Sequence, residues 1–112
     1  MPAFPPPAPI VAAAAVPETV VLLDVREDDE WAAGHALGAV HVRLNELPGR
    51  VGELPPGRDI AVICRVGSRS AMAAAYLAQA GWPAVNVIDG MFGWAAADRP
   101  MVSETGRPPT VL

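Results

Sequence analysis

Three short apolar runs, at 20–25 (VVLLDV), 60–64 (IAVIC) and 85–89 (VNVID), constrain this chain more than any other feature, with a weaker fourth at 39–42 (AVHV). They are β-branched and nearly continuous rather than alternating, the pattern of strands buried on both faces of a parallel sheet. Helical signals separate them. EDDEWAAGH puts acidic residues in a first turn and Gly34 at a stop. SRSAMAAAYLAQAGWP opens with Ser68 as a cap and carries Met72 and Tyr76 four apart, with Ala73, Leu77 and Ala80 beside them. It finishes at Gly81 ahead of Pro83. Strand and helix alternate, so the fold class is α/β with a central parallel sheet. No internal repeat is visible.

A length of 112 residues allows one domain. The prolines mark its edges: Pro2, Pro5, Pro6, Pro7, Pro9 and Pro17 crowd one end, and Pro100, Pro108 and Pro109 stand near the other. The organisation expected is a Pro/Ala-rich arm over 1–17, a folded core over 18–102 and a loose polar tail over 103–112, with neither end helical. Ile10 and Val11 of the arm either pack on the domain or pair at a sheet edge. No Lys or Arg precedes the short apolar run of the arm, which argues against a secretory signal, and no run reaches the ~18 residues of a membrane span. A cytoplasmic protein without a membrane partner is expected.

The net charge is −4, and all the basic residues are arginine. An acidic chain with no basic run is unsuited to nucleic acid. One cysteine and two histidines exclude an internal disulfide and a structural zinc site of four cysteines or of two cysteines with two histidines. No metal and no organic cofactor is expected.

That cysteine closes a buried strand and opens a loop into a helix, where α/β sheets hold their ligands. Cys64 is followed by Arg65, Val66, Gly67, Ser68, Arg69 and Ser70. Gly67 permits a positive φ, so successive N–H groups can turn inward and cradle an anion at the helix N-terminus. The helix dipole, those amides and two guanidinium groups would all favour thiolate over thiol. The duller alternative is a strand-end cysteine that only packs.

CRVGSRS resembles the active-site loop of the rhodanese domain, and two further segments extend the resemblance across 18–102. LLDVREDDEWAAGHALGAVHV is similar to the family's first signature through Asp24, Arg26, Glu27, Trp31, Gly34, His35, Gly38 and Ala39. NVIDGMFGWAAADRPM is similar to the closing signature through Gly90, Met91, Trp94 and Pro100. Three departures stand out: Ala36-Leu37 replaces the usual Ile-Pro, Asp89 replaces the first of a glycine pair, and AADRP lacks the glycine that follows the tryptophan helix.

The resemblance implies a three-layer sandwich, its parallel sheet of about five strands flanked by helices. It also implies ping-pong transfer of sulfane sulfur. Cys64 would be the catalytic persulfide carrier, and Arg65, Val66, Gly67, Ser68 and Arg69 would bind the substrate. A small anionic donor such as thiosulfate would load the cysteine, and cyanide, a thiol or a protein sulfur acceptor would unload it. Asp24 and Arg26 are expected to brace loops as an ion pair, His35 to bond backbone, and the tryptophans to pack in the core or at the rim. Met91 and Phe92 are candidates for the pocket wall. Oligomeric state is open.

Two other readings use the same fold. Related cysteine-dependent phosphatases and arsenate reductases place five residues between Cys and Arg, whereas Cys64 and Arg69 are separated by four, a ring better sized for one sulfur than for a phosphate. A non-catalytic binding or regulatory module of this family often lacks the cysteine, which this chain keeps.

Overall fold

The computed structural model describes residues 6–112. Five strands form one parallel sheet in the order β1 (Ile10–Val11), β6 (Ala84–Val87), β5 (Ile60–Ile63), β2 (Val21–Asp24) and β4 (Val40–His41). β2 and β5 at the centre are buried throughout, which is why their sequences do not alternate.

The two faces carry separate cores. Val21, Leu23 and Val25 with Ile60, Val62 and Cys64 meet Ala73, Ala74 and Leu77 of α3 (Ser68–Gln79), together with Leu47 of the short α2 (Leu47–Arg50). On the other face Leu22, Ala61, Ile63 and Val87 meet Met91 and Trp94 of α4 (Gly90–Ala96). Helix, sheet and helix make the three layers expected of the α/β class. α1 (Asp28–Ala33) begins where the Glu30 carboxylate accepts the Glu27 N–H at 3.0 Å. A two-stranded antiparallel sheet of β3 (His35–Ala36) and β7 (Met101–Val102) was not visible in the sequence; two-residue strands are too short to show a period.

The proline-rich ends are more involved than their composition suggests. Ile10 and Val11 add β1 to the sheet edge, where the Asn86 N–H donates to Pro9 O and the Ile88 N–H to Val11 O. The chain then makes a single 3-10 turn at Ala13–Ala15, a short helical element at an end expected to have none, with Ala13 fully buried. The segment 103–112 is pinned rather than loose. Glu104 N–H donates to Ala32 O, and Thr110 N–H donates to Ala33 O, both carbonyls of α1. Thr110 backbone approaches so closely that Gly34 has no room for a Cβ. Among the described residues no helix is long and apolar enough to cross a membrane.

The departures from the signatures find local reasons. Asp89 Oδ1 accepts the Ala13 N–H at 2.7 Å and ties the 3-10 turn to α4. Asp98, where the usual glycine is missing, keeps the left-handed conformation at φ 55°, which aspartate tolerates better than most residues. Leu37, in the place of the usual proline, is exposed.

Candidate active site

Cys64 leaves the end of β5 beside Val25, whose N–H donates to Ile63 O. The chain must then reverse to start α3 over the same sheet face. Gly67 makes that turn at φ 100° and is the residue before the helix; Ser68, expected to cap it, gives no side-chain cap and is exposed. A Cβ on Gly67 would collide with the Ile88 carbonyl, so only glycine fits on both counts.

The turn wraps the sulfur. Gly67 N–H donates to Cys64 Sγ at 3.2 Å and Ser70 N–H at 3.3 Å, while Ser70 Oγ lies 3.2 Å from it. Behind Ser70, its hydroxyl donates to Asn86 Oδ1 at 2.6 Å, and Asn86 Nδ2 donates to Gly67 O at 3.2 Å. Cys64, Ser70 and Asn86 are all buried. Burial alone would raise the Cys64 pKa, and it is the largest single influence. The Ser70 hydroxyl and the N–H groups of Ser70, Gly67 and Val66 together outweigh it, holding the thiol below its ordinary 9.0.

The arginines of the loop are placed differently from one another. Arg69 reaches Glu30 of α1 with both terminal nitrogens, Nη1 to Oε1 at 2.7 Å and Nη2 to Oε2 at 2.8 Å. Its charge is matched there, so the donors that favour the thiolate are chiefly amides and a hydroxyl rather than guanidinium groups. Glu30 answers in kind: the Arg69 hydrogen bonds hold its pKa at about 2. Arg65 is exposed, lies over the Phe92 ring at 4.6 Å and donates from Nε to Leu112 O at 2.6 Å. Phe92 therefore belongs to the rim, while Met91 is fully buried core.

Of the residues singled out from sequence, Cys64, Val66 and Gly67 meet at the sulfur through backbone and thiol. Arg65, Val66 and Ser68 present exposed side chains on the outside of the loop, and Arg69 turns to α1. Ser70, Asn86 and Glu30 were missed. Asn86 left one signal: a lone amide in a buried apolar strand must find partners.

The neighbouring residues brace this arrangement. Arg26 binds Asp24 in a fully buried pair, Nη2 to Oδ2 at 2.8 Å, and donates to Gly34 O. His35 donates from Nδ1 to Trp31 O, and Trp31 stacks between the rings of His35 and His41 at centroid distances of 3.5 and 4.6 Å. Both histidines are thereby occupied in structure.

A buried cysteine at the C-terminal end of a parallel strand, encircled by N–H donors of the turn into the next helix, defines an α/β domain built around one stabilised sulfur. The sequence pattern of the Rhodanese-like domain matches residues 11–97, and the chain belongs to that family. It is 38% identical over 90 residues to a protein named "Sulfurtransferase" from Allochromatium vinosum, covering 80% of this chain and 84% of that protein. It is also 39% identical over 83 residues to "Putative sulfurtransferase YtwF" of Bacillus subtilis, covering 74% of this chain and 81% of that one. The crystal structure of a rhodanese-related protein from Thermoplasma volcanium superposes with a TM-score of 0.79 at 32% identity, covering 84% of this chain and 97% of that chain.

Proposed function

We propose that the domain moves sulfane sulfur from thiosulfate, or a similar small anionic donor, to cyanide, a thiol or a protein acceptor through a persulfide on Cys64. The observation that carries this reading is the aim of the loop: Gly67 N and Ser70 N lie 3.2 and 3.3 Å from Sγ itself. Donors so placed hold the attacking sulfur as a thiolate, and the four residues between Cys64 and Arg69, one fewer than the phosphatase ring, support sulfur transfer over the phosphatase reading.

In the first half-reaction the Cys64 thiolate attacks the outer sulfur of thiosulfate. The S–S bond of the donor breaks with its electron pair on sulfite, and a new S–S bond leaves the negative charge on the terminal persulfide sulfur. In the second, the acceptor's nucleophile attacks that terminal sulfur, and the bonding pair returns to Cys64 as thiolate. No general base is needed, because the thiolate forms in advance in its ring of donors. Arg65, Val66, Gly67, Ser68 and Arg69 form the binding cradle. Arg65 meets the anion at the rim, and Arg69 holds the loop through Glu30.

Incubation with thiosulfate followed by intact-mass measurement tests the reading. The expected result is a gain of one sulfur atom that cyanide removes and that Cys64→Ser lacks. The full burial of Cys64 favours the second reading, a domain that binds partners without turnover. A protein that gains no sulfur from any anionic sulfane donor would overturn the transfer reading.

A further inference from the structure

Among the described residues Ser70 is the one hydroxyl in contact with the sulfur, and it has a competing acceptor. Its Oγ lies 3.2 Å from Cys64 Sγ and 2.6 Å from Asn86 Oδ1, yet a serine carries a single hydrogen. Asn86 cannot yield by turning its amide over, because Nδ2 donates to Gly67 O and a flip would set two oxygens face to face. The amide is therefore fixed with its oxygen toward Ser70, and only the hydroxyl hydrogen is free to choose.

Its choice follows the charge on sulfur. While Cys64 is a thiol, S–H donates to Ser70 Oγ and the hydroxyl donates onward to Asn86, so each hydrogen has an acceptor. When the thiol proton leaves to solvent, Sγ becomes an acceptor only, and rotation about Cβ–Oγ carries the Ser70 hydrogen from Asn86 to sulfur without moving a heavy atom. Asn86 Oδ1, 5% exposed as a residue, then loses its partner.

We propose that the Ser70 hydroxyl is a two-position donor, held on Asn86 while the sulfur is neutral and passed to Sγ when the thiolate forms, and that Asn86 is the positioning residue that sets how readily Cys64 ionises. In a persulfide the inner sulfur is again neutral and the hydroxyl returns to Asn86. Asn86 thus opposes the free thiolate without opposing the loaded state. The inference rests on Cys64 being the reacting thiolate.

The test is the pH dependence of alkylation by iodoacetamide, which reads the thiolate whether or not the protein transfers sulfur. Ser70→Ala moves the midpoint up and slows alkylation at neutral pH by about threefold to tenfold, the worth of a hydrogen bond to a charged group less the neutral bond to Asn86 that the hydroxyl gives up. Asn86→Ala moves the midpoint down, in the opposite direction, and does nothing further in the Ser70→Ala background. Ser70→Thr, which keeps the hydroxyl, keeps the midpoint. Asn86→Leu, closer in volume, replaces Asn86→Ala should the smaller residue not fold. In the unaltered protein the Asn86 side-chain amide resonances move with the Cys64 midpoint, and that movement is lost in Ser70→Ala. An upward or absent shift in the Asn86 variants, or an equal shift with and without the Ser70 hydroxyl, overturns the proposal. Opposed midpoints in a protein that gains no sulfur from any anionic sulfane donor would uphold the switch and sink the transfer reading instead.

Discussion

Glu30 and Arg69 lie 39 residues apart in sequence and meet in a two-pronged ion pair, at 2.7 and 2.8 Å, that fastens the cysteine loop to α1. Two parallel N–H to oxygen bonds fix direction as well as distance, so the pair holds the first turn of α3 in place. Loss of Glu30 is therefore expected to be felt at the sulfur, although Glu30 is not among the groups that touch it.

The same pair gives the domain a component of acid sensitivity. Glu30 falls from its ordinary 4.5 to about 2 in the folded protein, chiefly through Arg69. A depressed carboxyl pKa stabilises the fold above the unfolded value, and that contribution drains away as pH falls from about 4.5 toward 2. With both side chains partly exposed, Glu30→Gln is expected to cost about 2 kcal/mol at pH 7. Urea denaturation of parent and variant at a series of pH values should show the gap narrowing toward pH 2. A constant gap would mean that the carboxylate charge is not involved.

Arg65 is the loop's exposed guanidinium, and its Coulombic reach is toward solvent. Arg65→Ala should slow thiosulfate loading by about threefold to tenfold while leaving reaction with neutral iodoacetamide nearly unchanged, and added salt should shrink the difference. Arg69→Ala, by contrast, should slow both reagents alike, and Glu30→Gln should do the same. Equal loss with both reagents for Arg65→Ala would assign that residue to its bond with Leu112 alone.

Gly67→Ala challenges the turn itself. The left-handed backbone costs an alanine about 1 to 2 kcal/mol, and the collision with the Ile88 carbonyl adds to this. Lower stability in urea should accompany a Cys64 alkylation midpoint moved up toward 9.0, because the Gly67 and Ser70 amides no longer converge. An unstable variant with an unchanged midpoint would separate the fold of the loop from its electrostatics.

How far the chain could be read in advance depended on whether partners were neighbours in sequence. Cys64, Val66 and Gly67 lie within one loop, and the buried strands announced themselves by unbroken apolar runs, so the parallel sheet and the cradle were legible. Glu30 with Arg69, and Ser70 with Asn86, are joined only when separate elements close over the sheet. Neither pair leaves a spacing to read. The two ends differ: pairing of Ile10 and Val11 at a sheet edge is among the expectations, and β1 meets it, whereas the segment 103–112 looked like a loose tail because backbone hydrogen bonds, which any residue can make, hold it down. Ser68 looked like the cap because serine commonly is one, yet the reversal after β5 required a left-handed residue there, and Gly67 supplied it.

Asp24 and Arg26 provide a last test, away from the sulfur. Both are fully buried, and Arg26 Nη1 is without a hydrogen-bond partner among the described residues. Removing one charge from such a pair strands the other, so Asp24→Asn or Arg26→Met should each cost about 3 to 5 kcal/mol, whereas joint replacement by apolar residues recovers much of the loss. A double-mutant cycle in urea gives the coupling directly. Additive losses would mean that the pair is not a unit.

Met91 N–H donates to Cys64 O at 2.8 Å and Phe92 N–H to Arg65 O at 3.2 Å. A loop can turn its hydrogens toward one centre only if its oxygens are received elsewhere, and here the receiving surface is the opening turn of α4, 27 residues downstream of the cysteine at Met91. The sulfur's environment is thus assembled from both halves of the chain. A fragment ending before Gly90 would retain the whole CRVGSRS signature and lose both of these hydrogen bonds, which makes the closing segment of the domain part of what holds the cysteine loop.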